Sequence, residues 1–440
     1  MVFLQNVWWY LVLIGVMILV HELGHYWAAR FFDVKVETFS FGFGPRLFGF
    51  RRGETDFRFS AILFGGYVKM AGEQLGEENT AGARALTAKP RWQRMIIAFA
   101  GPAINVVLAV VLLAGLFMFR YPRIPNPNSP YVGFQAADGA AAKAGIRIGD
   151  RIVQVDNVAD PTWEQVEMKE FISVKRPLDV WANRNGERLR FSIQPRYDEA
   201  QGIAFAGWGQ EMEIEVADVR KGMSGERAGL KRGDILVSAN GLPLRSSGRL
   251  NEIENETNGA PLDLVYSRNG QQAHVAVTPE KADIDGKGKT QWLIGLSLTP
   301  RVEITSLSPP AALYESIRKN GQNATLIVKY LEGLVKQQMS PKAIQGPIRI
   351  AQMSGDAARE GTLTFVILMA GVSLNLAIFN LLPVPIFDGG VIVMLFIEML
   401  MRRDLDLKVK ETVLKVGFVF LMAVVVFVIY NDISKILPPG

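Results

Sequence analysis

The sequence predicts a polytopic α-helical membrane protein that also carries a membrane-associated β-hairpin region and two repeated α+β domains. Long apolar runs lie near both ends of the 440-residue chain, whereas the middle is polar and contains an internal repeat. A glycine-rich stretch in which apolar and polar residues alternate follows the first run. These three observations are typical of a membrane protein with a soluble insert.

Composition excludes several function classes. The formal net charge is +5, but basic and acidic residues are interleaved, and no basic stripe indicates a nucleic-acid-binding surface. The chain has no cysteine, so disulfides and thiol chemistry are excluded, and a zinc site would have to use histidine and carboxylate ligands. Histidine is rare as well, and two of the three histidines lie four residues apart in the first apolar segment.

Four segments are long and apolar enough to cross a bilayer, which takes about 20 residues at the helical rise. The predicted spans are Val7–Phe32, Met95–Phe119, Leu363–Leu382 and Val413–Ile433. A cleaved signal peptide is the alternative for the first segment. However, no basic region precedes that segment and its apolar character continues past Val20, so we expect a retained span.

The basic residues between the spans predict the topology. Lysines and arginines lie between spans one and two, at Arg46, Arg51, Arg52, Arg58, Lys69, Arg84, Lys89, Arg91 and Arg94, and between spans three and four, at Arg402, Arg403, Lys408 and Lys410. The positive-inside rule places both stretches in the cytoplasm and both chain ends outside. Arg120 and Arg123 count against this orientation. The insert from Tyr121 to about Gly361 is then expected in the periplasm of a bacterial cell.

The stretch from Val34 to Met70 predicts short β-hairpins. Apolar and polar residues alternate there, and glycine recurs at Gly42, Gly44, Gly65 and Gly66. Strands in lipid leave backbone groups unpaired, so these strands must pair with one another, line a cavity or lie at the interface.

The insert opens with a proline-rich linker, Tyr121–Pro130, which is expected to be extended and semi-rigid. An internal repeat follows, in which residues 144–155 match residues 228–239 at an offset of 84. Each copy predicts a helix end, a Gly-Asp turn and a strand. With the Asn240-Gly241 turn that follows, the pattern resembles the PDZ family. Two copies in register predict tandem PDZ-like domains.

The main chemical motif is His-Glu-x-x-His inside the first predicted span, formed by His21, Glu22 and His25. Histidines four residues apart share one helix face about 6 Å apart, so both imidazoles can reach one metal ion. The intervening glutamate is placed to deprotonate water at that ion. The alternative is a hydrogen-bonded pair of core histidines. Burying these three polar groups in lipid is costly without a function, which favours a metal site, with zinc the best fit.

Catalytic zinc usually has three protein ligands and a water, so a third ligand is needed. Phe31 stands where the metzincin pattern has its next histidine. His274 lies in the polar insert and is interpreted as an ordinary strand residue. The remaining candidates are carboxylates near the third span, at Asp356, Glu360, Asp388 and Glu398.

Asp388 is the preferred third ligand. It follows two prolines, Pro383 and Pro385, which break the helix at membrane depth, and irregular backbone at that depth usually lines a cavity. The alternative is a simple turn, because Asp-Gly is a common turn pair. A two-histidine site that lacks its third ligand on the same membrane face favours the metal interpretation. Glu398 is the second choice, and it is also compatible with a polar residue on a short apolar helix.

Taken together, these motifs resemble the site-2 protease family of intramembrane zinc metalloproteases, and within it the bacterial regulator of sigma E protease (RseP) type. The resemblance rests on His-Glu-Leu-Gly-His in span one, on Asn-Leu-Leu-Pro-x-Pro-x-x-Asp-Gly-Gly in span three, and on the tandem PDZ-like insert, and it covers nearly the whole chain. It implies that His21, His25 and Asp388 bind one zinc ion per chain and that Glu22 is the general base. It also implies that Asn380 and Asn375 contact the substrate or the oxyanion. Phe387 stands where the family usually has leucine, a change that keeps the ligand but alters the cleft wall.

The resemblance also implies roles for the glycine-rich strands and the insert. Gly42, Phe43, Gly44 and Pro45 resemble a membrane-dipping β-loop, and Gly65, Gly66 and Tyr67 resemble an edge strand that binds unwound substrate, although plain turns are the alternative. The implied substrates are single-span membrane proteins such as a pre-trimmed anti-sigma factor, and also remnant signal peptides. The implied setting is the bacterial inner membrane, with PDZ-like domains that restrict substrate access.

These expectations divide the chain into ten segments. They are the first transmembrane helix (1–32), the β-hairpin region (33–94), the second helix (95–120), the linker (121–130), the two PDZ-like domains (131–205 and 206–300), an amphipathic periplasmic segment (301–361) with helical spacing over Pro309–Gln338, the third helix (362–390), a short apolar helix with a basic loop (391–412), and the fourth helix (413–440). Two rival functions remain, a membrane-anchored PDZ scaffold with an inert metal site and a metal transporter. An essential Glu22 would exclude the scaffold, and an absence of zinc flux would exclude the transporter.

Overall fold

The computed structural model describes residues 2–73, 81–123, 130–174, 176–198, 203–283, 290–336, 341 and 344–436. The chain forms two compact units. The first comprises Met1–Tyr121, Ser306–Glu332 and Ile344–Gly440, and the second comprises Pro122–Thr305 and Gly333–Ala343. Most of the predicted linker, at 124–129, lies outside the described residues, as does the end of the predicted amphipathic segment at Gln338.

The described α-helices follow in chain order. They are α1 (Val2–Phe31), α2 (Arg91–Phe119), α3 (Ala140–Lys143), α4 (Trp163–Ile172), α5 (Ser224–Arg227), α6 (Ser247–Glu256), α7 (Pro309–Val335), α8 (Pro347–Glu360), α9 (Thr362–Asn380), α10 (Asp388–Met401) and α11 (Leu407–Ile436).

The described strands fall into the hairpin region of the first unit and the insert. They are β1 (Val36–Arg52), β2 (Thr55–Met70), β3 (Tyr121–Arg123), β4 (Val132–Gln135), β5 (Arg151–Val155), β6 (Val158–Ala159), β7 (Leu178–Arg184), β8 (Glu187–Ile193), β9 (Arg196–Asp198), β10 (Ile203–Phe205), β11 (Trp208–Gln210), β12 (Ile214–Val219), β13 (Ile235–Ala239), β14 (Leu242–Pro243), β15 (Leu262–Arg268), β16 (Gln271–Val277), β17 (Glu280–Asp283), β18 (Thr290–Leu293), β19 (Leu296–Pro300) and β20 (Glu303–Thr305).

Four helices, α1, α2, α9 and α11, are long and apolar enough to cross a membrane. This confirms the four predicted spans, although α11 begins at Leu407 rather than near Val413. The apolar helix α10 has 14 residues and is too short to span. It ends at Met401 and is capped by Arg402, which adopts a left-handed conformation with φ 54°.

Helix α2 lies at the centre of the first unit and packs against α1, α9 and α10. Small residues allow close approach, as is usual between membrane helices. A Cβ atom at Gly24 of α1 would lie 2.4 Å from the carbonyl oxygen of Ala100 on α2. One apolar cluster joins Ala109 and Leu113 of α2 to Leu374 of α9.

The hairpin region folds into a small sheet of strands, as the alternating pattern predicts. Both β1 and β2 bend sharply, so their halves lie side by side in the order 66–70, 36–41, 56–59 and 46–52. The bend in β1 falls at Gly42, whose φ is +95° and where a Cβ atom would lie 2.8 Å from the carbonyl oxygen of Ile62. Segment 66–70 is therefore an outer strand of this sheet within the described chain.

The insert contains two copies of one arrangement. In the second copy the strands lie in the order β16-β15-β13-β12-β19, with β14 on β13. In the first copy, β8-β7-β5-β6 form one sheet, β4 pairs with β11, and a bridge from Tyr131 to Arg151 joins these two parts. Each copy has its own apolar core. The first core includes Trp208, so it extends beyond the domain boundary expected at residue 205.

A charged pair repeats with the fold of the insert. Arg184 donates two hydrogen bonds of 2.7 Å to Asp150 and a third to the carbonyl of Gly145. Arg268 makes the same contacts with Asp234, at 2.6 Å, and with the carbonyl of Gly229. Both aspartates are the Gly-Asp turn residues of the sequence repeat, so the turn is fixed in each copy by a bidentate arginine.

The segment expected as one amphipathic stretch forms two helices, α7 and α8. Helix α7 packs through Ala312, Ala324 and Ile327 onto the cluster shared by α2 and α9. Its Ser316 hydroxyl donates a 2.7 Å hydrogen bond to the carbonyl of Val110 in α2. One face of α7 is therefore packed on membrane helices.

Candidate active site

His21 and His25 lie one turn apart on the same face of α1, and both are buried. Their Nε2 atoms are 3.2 Å apart. The ring of His25 is oriented by a 2.8 Å hydrogen bond from Nδ1 to the carbonyl oxygen of Ile97 on α2. A carbonyl only accepts, so Nδ1 carries the proton and Nε2 presents a lone pair.

Asp388 lies beside these two histidines although it comes from a distant part of the sequence. Helix α9 ends at Asn380, the two prolines interrupt the helical path, and Asp388 is the first residue of α10. The two glycines that follow allow α10 to begin directly against this turn. A Cβ atom at Gly389 would lie 2.3 Å from the carbonyl oxygen of Leu381, and one at Gly390 would lie 2.2 Å from that of Val384. The Asp-Gly-Gly sequence therefore sets the position of the carboxylate.

The three side chains have the spacing of a tetrahedral metal site. Nε2 of His21 is 3.1 Å from Oδ2 of Asp388, and Nε2 of His25 is 3.4 Å from Oδ1. Ligands about 2.0–2.1 Å from a tetrahedral zinc ion lie about 3.3 Å from one another. Two imidazole lone pairs and a carboxylate that converge at this spacing repel each other unless a cation lies between them. The group fits zinc, and it is the one metal-ligand cluster found among the described residues.

Glu22 lies beside this cluster and lines the same cavity, which has a volume of about 340 Å³. Its carboxylate accepts a hydrogen bond from the backbone N–H of Val68 in β2. Gly66 leaves room for it, because a Cβ atom there would lie 3.2 Å from Cγ of Glu22 and 2.9 Å from the carbonyl oxygen of Ser40. The glutamate is thus held between the metal cluster and the strand.

The two asparagines expected in the site lie in different places. Asn380 lines the cavity, and its Nδ2 is 3.4 Å from Nε2 of His21. Asn375 is exposed and is not among the residues that line the cavity. Phe387, the departure from the family pattern, lines the cavity next to Asp388.

The outer strand 66–70 borders the cavity as well. Tyr67, Val68 and Met70 are lining residues, and the strand pairs on one side only within the described chain. Across the bend, the ring of Phe43 stacks on Tyr67 with centroids 6.0 Å apart. The Gly42–Pro45 loop and the Gly65–Tyr67 strand are therefore in contact, next to the candidate metal site.

The family model that describes peptidase family M50 matches residues 9–424. The chain belongs to peptidase family M50. It is 30% identical to a Vibrio cholerae protein assigned as a zinc metalloprotease, over 97% of this chain and 98% of that protein. It is 28% identical to the regulator of sigma-E protease RseP of Salmonella typhimurium, over 98% and 99% of the two chains. It is also 28% identical to protease RseP of Yersinia pestis, over 97% and 98%.

This membership confirms the resemblance to site-2 proteases, and the chain is an intramembrane zinc metalloprotease.

The other carboxylates considered as a third metal ligand lie away from His21, His25 and Asp388. Glu398 is buried, with Oε1 2.6 Å from Nζ of Lys410 and accepting a hydrogen bond from the backbone N–H of Leu405. It joins α10 to the start of α11 and is not part of the metal-ligand cluster. Asp356 is exposed and pairs with Arg359.

Two further residues considered as metal ligands from the sequence, Glu360 and His274, also lie away from the metal-ligand cluster. Glu360 is exposed at the end of α8. His274 is an exposed strand residue of β16, with Nδ1 3.5 Å from Asp263. This agrees with its interpretation as an ordinary strand residue.

Sequence reasoning missed three positions on α2 that lie against the two histidines of the metal-ligand cluster. Ile97 accepts the hydrogen bond from His25, and Asn105 places its amide 3.3 Å from Nδ1 of His21. Between them, a Cβ atom at Gly101 would lie 2.4 Å from Nε2 of His25. These residues are four apart, so they form one stripe of α2 that matches the spacing of the two histidines on α1.

Proposed function

We propose that this M50 protease cuts single-span membrane proteins within or at the edge of their membrane-spanning helices. In this proposal His21, His25 and Asp388 hold one zinc ion and Glu22 is the general base. The observation that supports it most directly is the near-tetrahedral spacing of the ligand atoms of His21, His25 and Asp388, with both histidines and Glu22 on a helix apolar enough to span a membrane.

Lewis-acid chemistry is what zinc would supply at this cluster, through a lower pKa of water and a polarised carbonyl group. Glu22 is placed to take the proton from the attacking water and to deliver it later to the leaving amine. The side-chain amide of Asn380, which also lines the cavity, donates to the oxyanion that develops on the substrate carbonyl.

The outer strand explains how a helical substrate becomes cleavable. The amides of a helix are hydrogen-bonded within the helix, so the segment to be cut must be extended first. Strand 66–70 pairs with another strand on one side only and borders the cavity, so a substrate strand can add along it by displacing the carboxylates of Glu22 and Glu73 from the N–H groups of Val68 and Met70. The Gly42–Pro45 loop, with Phe43 exposed, contacts the entering chain beside it.

We propose the cellular location and the substrate from the predicted membrane topology and from the similar proteins. The basic loops support a setting in which the insert lies in the periplasm of a bacterial inner-membrane protein. The two repeated copies in the insert are PDZ-like domains that restrict access of substrates with bulky outer domains. The Salmonella relative is named a regulator of sigma-E protease, so a pre-trimmed single-span anti-sigma factor is the first substrate to test. Remnant signal peptides are a second class.

The test is cleavage of a single-span substrate in liposomes, with zinc quantified per chain. Glu22→Gln should keep zinc and lose cleavage, because it removes the base and no ligand. Asp388→Asn should lose both zinc and cleavage. Asp356→Asn, a change at an exposed carboxylate on α8, is the matched control and should resemble the wild type. Cleavage by Glu22→Gln at the wild-type rate would exclude this mechanism and favour the scaffold, and zinc flux into the liposomes would favour the transporter.

A further inference from the structure

Each histidine of the proposed metal site has to present one particular nitrogen. The cluster is built from the two Nε2 atoms, and a nitrogen binds a metal only through a free lone pair. The proton of each neutral ring must therefore lie on Nδ1, and a hydrogen-bond acceptor near Nδ1 fixes that arrangement.

His25 has such an acceptor in the main chain. The carbonyl oxygen of Ile97 lies 2.8 Å from its Nδ1. A backbone carbonyl cannot donate, so this contact holds His25 in the form that leaves Nε2 free.

Within the described part of the chain, Nδ1 of His21 contacts the side chain of Asn105 rather than a backbone carbonyl. Asn105 is fully buried. Its Nδ2 lies 3.3 Å from Nδ1 of His21, and its Oδ1 is buried with no hydrogen-bond partner among the described residues. A half-turn about the Cβ–Cγ bond exchanges these two amide atoms with almost no change of shape.

Metal binding decides between the two orientations of this amide. With a metal at Nε2 of His21, Nδ1 carries a proton, and an amide N–H facing it would place two donors against each other. With Oδ1 facing Nδ1, the same contact becomes a hydrogen bond and the unpartnered oxygen is satisfied.

Helix α2 is built to hold both rings in this way. Ile97 and Asn105 are eight residues apart, which is close to two helical turns, and Gly101 lies midway. The missing side chain at Gly101 provides the space in which the rings lie, because a Cβ atom there would be 2.4 Å from His25 and 2.8 Å from His21. Ser373 of α9 donates a 2.8 Å hydrogen bond to the backbone carbonyl of Asn105, which fixes α2 at this level.

We propose that Asn105 is a positioning residue that accepts the Nδ1 proton of His21 through its side-chain oxygen and thereby keeps Nε2 of His21 free to bind the metal. The proposal rests on the proposed function, because it takes His21 as a zinc ligand. It assigns to Asn105 a role in metal affinity and ring orientation.

Three variants test it, with zinc affinity measured by competition with a chromophoric chelator on the purified full chain. Asn105→Leu keeps the volume but removes the acceptor, and we expect zinc to bind 10- to 100-fold more weakly, as is typical for loss of such a partner. Asn105→Asp keeps an acceptor in the same place, and we expect affinity equal to or above that of the wild type. Asn251→Leu, the same change at an exposed position of α6, should leave zinc affinity unchanged.

The outcomes separate this inference from the proposed function. If zinc binding requires His21 and Asp388 but Asn105→Leu binds zinc as tightly as the wild type, Asn105 has no positioning role and the protease mechanism is unaffected. If Asn105→Asp weakens binding as much as Asn105→Leu, the amide acts as a donor or only as packing, and the inference is wrong. If substitution of His21 or Asp388 leaves zinc binding unchanged, the proposed site itself is wrong.

Discussion

At the scale of single residues, Gly101 sets the space available to the metal ligands. Any side chain there would meet the His25 ring at 2.4 Å, well inside van der Waals contact. Gly101→Ala should therefore displace the imidazoles and lower zinc occupancy at least about tenfold, which is the lower end of what an altered ligand environment costs. Zinc per chain after dialysis against a weak chelator measures this.

Gly115 on the same helix is the matched control for Gly101. A Cβ atom at Gly115 would meet nothing within 4 Å, so Gly115→Ala should leave zinc occupancy unchanged and stabilise the helix by up to about 1 kcal/mol. Equal zinc occupancy in Gly101→Ala and the wild type would mean that the rings do not depend on this gap.

Residue-scale reasoning from the sequence predicted the residues that form the candidate metal-ligand cluster and missed the residues that surround it. His21, Glu22 and His25 were predicted because their spacing reports one helix face, and Asp388 was predicted because two prolines break the helix just before it. Asn105 and Gly101 carry no such signal, because a glycine or an asparagine in an apolar helix shows its purpose only when the neighbouring helix is in place.

The expectation for Asn375 shows a second limit of the sequence. Asn375 and Asn380 are five residues apart, which turns them about 140° from each other around a helix. The structure accordingly places Asn380 at the cavity and Asn375 on the exposed face of α9, and a contact of Asn375 with substrate stays a prediction.

At the scale of elements, α8 depends on a carboxylate from α11. Asp432 is buried and accepts hydrogen bonds from the backbone N–H groups of Gly346, Ile348 and Arg349, at 2.9, 3.0 and 3.2 Å. These are first-turn donors that have no partner within the helix, and Gly346 has no side chain that could cap them. A negative charge at this end also interacts favourably with the helix dipole.

Asp432→Ala should therefore loosen the first turn of α8. Loss of a charged cap costs roughly 1.5–3 kcal/mol, so amide hydrogen exchange over residues 346–349 should become at least about tenfold faster. Tyr430→Phe, at a neighbouring position of α11 that is 71% exposed, should exchange like the wild type. Unchanged exchange in Asp432→Ala would show that this cap does not stabilise α8.

The sequence predicted the membrane helices better than the strand arrangement, and the reason is physical. Apolar length alone identifies a membrane helix, and all four spans were found. The bends that turn β1 and β2 into a four-segment sheet depend on which strands pair, which is a long-range property. Helix α7 was expected on a membrane surface from its spacing, and that placement stays a prediction; the spacing did not reveal that the same face packs against α2 and α9.

At the scale of the whole molecule, the insert repeats more than its turn motif. Glu170 of α4 and Glu254 of α6 are 84 residues apart, the offset of the repeat, and both are buried. Glu170 accepts hydrogen bonds from the backbone N–H of Ala206 and the indole of Trp208, and Glu254 accepts one from the backbone N–H of Ile294. Each glutamate therefore joins the helix of its copy to the closing strands, a pairing that a twelve-residue match could not show.

Burial raises the pKa of both glutamates from 4.5 to about 7, because loss of water outweighs the hydrogen bonds that favour the charged form. In the unfolded chain the same groups titrate near their ordinary value. Between pH 4.5 and 7 the unfolded state has therefore released protons that the folded state still holds, so stability falls as pH rises through this window and is level above it. The pKa difference corresponds to roughly 3 kcal/mol for each group.

We therefore expect the insert to open more readily at pH 8 than at pH 5. Hydrogen exchange over residues 203–210 and 290–296, corrected for the intrinsic rate at each pH, should report a smaller free energy of opening at pH 8. Glu170→Gln with Glu254→Gln should remove most of this difference, since glutamine does not titrate, whereas Glu256→Gln, an exposed position on α6, should retain it. If the wild type has the same free energy of opening at both pH values, both carboxyl groups already ionise freely in the folded insert. The repeated glutamates are then charged hydrogen-bond acceptors for their strands rather than buried neutral acids.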